Sequence, residues 1–88
     1  MFPLKIQNLP WRVVDGRAVI IHPRKGEVHE LNPVATLLWT LADGSQSVAE
    51  ITRSLCQEFD AEPGAAETDA RNFFCSMEQL GLIRWRDG

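Results

Sequence analysis

The strongest constraint on this chain lies at Asn32-Pro33, where a strand-like sequence gives way to a helical one. Asn accepts a first-turn N–H as an N-cap, and Pro at the first helical position has no N–H to leave unpaired. Beyond the junction, Val34, Leu37, Leu38 and Leu41 recur at i, i+3, i+4 and i+7, with Trp39 beside this apolar stripe. Ahead of it, Trp11-Arg12-Val13-Val14 and Arg17-Ala18-Val19-Ile20-Ile21 flank Asp15-Gly16. A two-residue Asp-Gly loop between β-rich runs closes a hairpin, because both central residues of a type I′ turn need positive φ. His22 to Gly26 reads as a looser turn, and Glu27-Val28-His29-Glu30-Leu31 as a third, short strand with the polar faces of a sheet edge.

Asp43-Gly44 ends the first helix, Gly tolerating the left-handed C′ conformation. Ser47 to Glu50 forms a capping box, and Val48, Ile51, Leu55 and Phe59 stripe the helix that follows. Asp60-Ala61-Glu62-Pro63-Gly64 breaks that helix. A third runs from about Ala65 to Leu80, with Ala66, Ala70, Phe73, Met77 and Leu80 on one face, Phe74 adjoining, and Gly81 as its cap. Residues 1–10, interrupted by Pro3 and Pro10, read as a loose lead-in, and Leu82 to Trp85 as an extended tail docked on the core. The order predicts an α+β, winged-helix-like fold: a small three-stranded antiparallel sheet followed by three helices. The 88 residues form one domain with its core at about 11–86, and one modest core is all that such a length supports.

Charge and motif content narrow the function. Net charge is −3, with five Lys/Arg against three acids over residues 1–30 and only Arg53 against seven acids over 31–70. The third helix pairs a single Arg71 with Glu67, Asp69 and Glu78, a poor surface for phosphates, so a winged-helix DNA-binding or regulatory module is the alternative function and not the leading one. His22 and His29 flank a turn, but a zinc site needs three or four ligands and no paired cysteines supply the rest. Cys56 and Cys75 occupy core-like helical positions as packed or half-buried thiols, and neither has a neighbouring base to make it a nucleophile. No phosphate loop or carboxylate pair is present, so neither an enzyme nor a cofactor is expected. The N-terminus lacks the apolar segment of a secretory signal and no long aliphatic run follows, which predicts a soluble, cytoplasmic protein with no membrane partner.

Strand addition fits what remains. The strand Glu27–Leu31, as a sheet edge, offers unpaired N–H and C=O groups to an extended peptide. Phe73, Phe74 and Met77 supply more bulk than one core stripe needs and so suggest a groove beside that edge. Val19 and Ile21 on one face of the second strand, and Ala18 and Ile20 on the other, imply that neither sheet face is freely solvated.

The ordered set of signals over residues 11–83 resembles the PqqD family, named for the small protein D of pyrroloquinoline quinone biosynthesis and also described as a RiPP precursor recognition element. The signature is His29-Glu30-Leu31-Asn32, Ala35 with Trp39, Asp43-Gly44, Ser47-Val48-Ala49-Glu50-Ile51, Phe59-Asp60, Asp69 with Phe73, and Leu80-Gly81-Leu82-Ile83. The resemblance implies a non-catalytic peptide chaperone that binds the leader segment of a ribosomally made precursor and presents it to a modifying enzyme, commonly a radical SAM protein. It places the leader against Glu27, Val28, His29 and Glu30, with Ala66, Ala70, Phe73, Phe74 and Met77 as groove candidates, some of which must also be core, and Arg71 available to pair with an acidic leader residue. It leaves open whether the protein is a monomer or a homodimer, and which natural product is made.

Overall fold

The computed structural model describes residues 1–87. Its elements run β1 (Phe2–Lys5), β2 (Trp11–Val14), β3 (Arg17–Ile21), β4 (Val28–Glu30), α1 (Pro33–Leu41), α2 (Val48–Phe59), α3 (Pro63–Gln79) and β5 (Ile83–Arg86). Two separate antiparallel sheets form: β2-β3-β4, and β1 paired with β5. The three-stranded sheet and three helices thus match the sequence reading.

Residues 1–10 are not a loose lead-in throughout. Phe2 to Lys5 pair with Arg86 to Ile83, so the expected tail is a strand as well. On its other side β1 bonds to the end of α1, through Lys5 N to Ala42 O (2.8 Å) and Gly44 N to Pro3 O (3.0 Å). Proline is tolerated in β1 because Pro3 contributes a carbonyl here and needs no donor. Gly44, at φ +80°, passes so close that a Cβ there would stand 3.2 Å from both Leu4 Cδ1 and Arg86 Cδ. It lies beyond Ala42, the C-cap of α1, so the close approach of β1 demands this glycine as much as the helix end does.

The hairpin forms as its turn chemistry requires, with Asp15 at φ 52° and Gly16 at φ 77°. Ala18 and Ile20 on β3 are completely buried against the helices. Thr36 fixes how α1 meets this sheet. Its hydroxyl accepts from Ala18 N (2.8 Å) and lies 3.4 Å from Leu31 O, as donor, at the point where the β3–β4 ladder ends. At the far end of α1, the Lys5 ammonium donates to the carbonyls of Trp39, Thr40 and Ala42, each at 3.1 Å. It lies 5.7 and 5.8 Å from the ring centroids of Trp11 and Trp39, which themselves meet edge to face. Burial pushes this ammonium below its ordinary pKa, while the Asp43 carboxylate pulls it back up.

Helix faces differ in detail from the periodicity. In α1 the buried residues are Thr36, Leu38 and Trp39, because the helix is covered by β3 on one side and α2 on another, while Val34 stays exposed. The capping box of α2 is present in full. α3 starts two residues earlier than expected: Pro63 takes the N1 position, and the Glu62 side chain accepts from Gly64 N and Ala65 N as N-cap. Its buried stripe is Ala66, Ala70, Phe74 and Met77; Phe74 takes the central place expected of Phe73 and packs edge to face on Trp85. Cys56 is half-buried, but Cys75 is exposed rather than packed; both are free thiols.

Replacing Thr36 with Val keeps the shape and leaves the buried Ala18 N–H without an acceptor. The expected loss is about 1–3 kcal/mol in urea unfolding, with faster hydrogen exchange at Ala18; an unchanged midpoint would show that the bridge is dispensable. Acid should also loosen the helix starts. Backbone donors at Ser47 and at Ala65 and Gly64 hold the Glu50 and Glu62 carboxyls below their ordinary pKa. Their contribution is present above the unfolded carboxyl pKa and is lost as pH falls through the lower folded value. The double variant Glu50→Ala/Glu62→Ala should therefore melt lower than wild type at neutral pH, and the difference between the two melting temperatures should shrink as the pH falls through the lower folded value.

Candidate functional site

The candidate site is the free side of β4, an edge of the three-stranded sheet. The pairs Val19↔Glu30, Ile20↔His29 and Ile21↔Val28 set the register, and His22 N to Glu27 O and Leu31 N to Ala18 O extend it at both ends. Antiparallel pairing alternates, so Glu27, His29 and Leu31 are the residues that bond to β3. The N–H and C=O groups of Val28 and Glu30 therefore face outward, and β4 is an edge of the sheet.

Side chains alternate in the same way. His29 lies beside Ile20 on the helix-facing side, with only 22% of its side chain exposed and its Nε2 buried without a hydrogen-bond partner. Glu27 Oε1 stands 3.6 Å from that nitrogen. Val28 points to the opposite face and is 64% exposed, and Glu30 on that face pairs with Arg17 at 3.4 Å. The sheet face carrying Val28 has no helix over it. Strand β1 does not cover it, since β1 is engaged with β5.

The expected groove residues divide into three groups. Ala66, Ala70, Phe74 and Met77 are buried in the core, and Ala66 also lines the margin of an open depression. Phe73 is partly buried and packs against the core from the flank of α3 that also carries Asp69, four residues before it. Arg71 lies on the other flank. It pairs with Glu67 (Nη2 to Oε2, 3.1 Å) and sits among Ser47, Val48, Ala49 and Trp85, away from β4. Since Arg71 is the only cation in α3, that helix presents no unpaired cation to phosphate.

A depression of about 300 Å³ opens where α1 begins, α2 ends and α3 begins, walled by Val34, Leu38, Leu55, Phe59, Ala65 and Asp69 among others. Val34 lies four residues after the end of β4. Periodicity assigns Val34 and Phe59 to the ends of core stripes, but they are 38% and 40% exposed and form an apolar lining instead. The available signal was their position next to Pro33 and Asp60, where the helices stop and packing partners run out. The other free edge, β2, adjoins a depression of Pro10, Trp11, Arg12, Val19 and Ile21 on the sheet alone. No group of three or more His, Cys, Asp or Glu side chains suited to a metal occurs among the described residues. Among the same residues, no helix is long and apolar enough to cross a membrane.

The sequence profile of the family described as Coenzyme PQQ synthesis protein D (PqqD) matches residues 17–83. A protein of Xanthomonas campestris pv. campestris (strain B100) named PqqA binding protein is 36% identical over 66 residues, covering 75% of this chain and 70% of that protein. Among solved structures, TbiB1 in complex with the TbiA(beta) leader peptide superposes with a TM-score of 0.83 at 20% identity, covering 97% of this chain and 99% of that one. The PqqD part of Methylobacterium extorquens PqqCD, a stand-alone RiPP recognition element, matches with a TM-score of 0.76 at 23% identity, covering 93% of this chain and 87% of that one. Sequence match and fold agree from β3 through the start of β5: the chain belongs to the PqqD family.

Proposed function

We propose that this protein is a peptide-binding module that takes up an extended segment of a ribosomally made precursor as an added strand on β4 and presents it to a modifying enzyme, such as a radical SAM protein. The observation that carries this reading is the unpaired backbone of Val28 and Glu30 at a sheet edge, followed four residues later by Val34, which lines an apolar depression walled by the helices. An incoming strand satisfies those groups without any catalytic side chain, and the alternate residues of the peptide turn toward Glu27, His29 and Leu31. The relative named PqqA binding protein and the neighbour solved with a leader peptide support the same role.

Separating presentation from chemistry has a physical rationale. Backbone pairing is insensitive to sequence, so it holds a segment in register while side-chain pockets choose which segment is held. The modifying enzyme then acts on residues beyond the bound stretch.

Cross-linking in cells that make the protein, followed by peptide-level mass spectrometry, should recover a gene-encoded peptide attached near residues 27–31. Val28→Pro removes one outward donor at an edge position that tolerates proline. Binding of the recovered peptide should weaken about tenfold, the loss of one hydrogen bond, with little change in helix content. Undiminished binding by that variant would overturn strand addition.

A further inference from the structure

Resting on the strand-addition reading, the geometry points to the chemistry of the bound peptide: we infer that it carries a Lys or Arg two residues from a bulky apolar anchor, both facing the helices. Three observations converge. The depression bordered by Val34, which follows β4 by four residues, is apolar at Val34, Leu38, Leu55, Phe59 and Ala65, and no Lys or Arg lines it. The charged side chains on that lining are Glu62 and Asp69. Glu62 is already engaged by Gly64 N and Ala65 N, and its carboxyl stays ionised as the N-cap. Asp69, on the flank of α3 shared with Phe73, has no ion-pair partner among the described residues. On β4 itself, Glu27 shares the helix-facing side with His29, 3.6 Å from its Nε2, so that side of the strand carries an acid of its own.

None of the nine Lys and Arg side chains lines this depression. Arg71 is bound to Glu67 on the opposite flank of α3, Arg53 lines a depression on the α2 side, and Arg17 is bound to Glu30 on the outer sheet face. An acidic residue reaching this space would meet like charge in an apolar setting; a cation would meet Asp69. The spacing follows from strand geometry. A peptide paired to β4 sends residues i and i+2 to the same side, about 6.6 Å apart, so one can enter the apolar lining while the other reaches Asp69. The charge split along the sequence therefore sets the sign of the ligand, and that sign is opposite to the one Arg71 suggests.

A phage-displayed library of random dodecapeptides, selected on the full 88-residue protein, tests this directly. Enriched peptides are then titrated against the ¹⁵N-labelled protein. The expected result is enrichment of an aromatic or aliphatic residue two positions from Lys or Arg, with shifts at Val28, Glu30, Phe59 and Asp69. Asp69→Asn should weaken these peptides several-fold and Asp69→Lys more than tenfold, while Arg71→Gln leaves them unchanged; circular dichroism confirms that each variant keeps its helices. Peptides that shift Val28 and Glu30 but carry no basic residue, or that bind Asp69→Lys as tightly as wild type, would overturn the inference and leave strand addition standing. Selected peptides that never perturb Val28 and Glu30 would overturn both.

Discussion

The hydroxyl of Thr36 is the contact on which the rest of this architecture turns. An antiparallel ladder between β3 and β4 would end with Ala18 N–H donating to Leu31 C=O. Here the hydroxyl stands between them, accepting from one and facing the other. One side chain thus ends the sheet and starts the helical layer. Buried backbone groups must be paired, so the strand can neither lengthen past Leu31 nor pull away from α1 without leaving a donor unmet. The position of the free β4 edge relative to the helices follows from that one junction.

A second clamp works at the other end of α1. Three carbonyls at the helix C-terminus carry the negative end of its dipole, and the Lys5 ammonium meets all three while lying near the faces of two indoles. Desolvation disfavours that charge, yet the surroundings are built of the groups that attract it. The clamp joins β1, β2 and α1, three segments that local sequence preferences would leave independent. α1 is therefore anchored at both ends by polar contacts to strands, and its apolar faces are free to serve α2 and the opening beside Val34.

Elements whose signals are local were legible in the sequence. Asp15-Gly16, Asn32-Pro33 and the Ser47–Glu50 box each specify backbone geometry within a few residues, and each forms as its chemistry demands. The edge position of β4 was legible too, from the polar character of both its faces. The β1–β5 pairing was not, because Phe2-Pro3-Leu4-Lys5 contains a proline and its partner lies some eighty residues away. On α3, Phe73 and Phe74 are adjacent, and periodicity alone could not decide which points inward; Trp85, delivered by β5, makes the choice for Phe74. Arg71 drew attention as the lone cation of its helix, yet Glu67 one turn earlier holds it on the flank away from β4. Asp69, two residues before it, faces the depression instead. A rotation of about 200° around the helix separates these neighbours, so reading a surface from sequence requires knowing which flank its partners occupy.

The pairing of Phe2 with Arg86 has an architectural consequence. Both ends of the described chain leave from adjacent strands, about 5 Å apart, beside Met1, Trp85 and Arg71. The opening at Asp69 lies on the other side of α3. A polypeptide could be spliced on at either end, or the whole unit set into a surface loop of a host protein, without threading past the β4 edge. Tethering of that kind would fix the β4 edge at a set reach from the host, and so set the effective concentration at which the two meet.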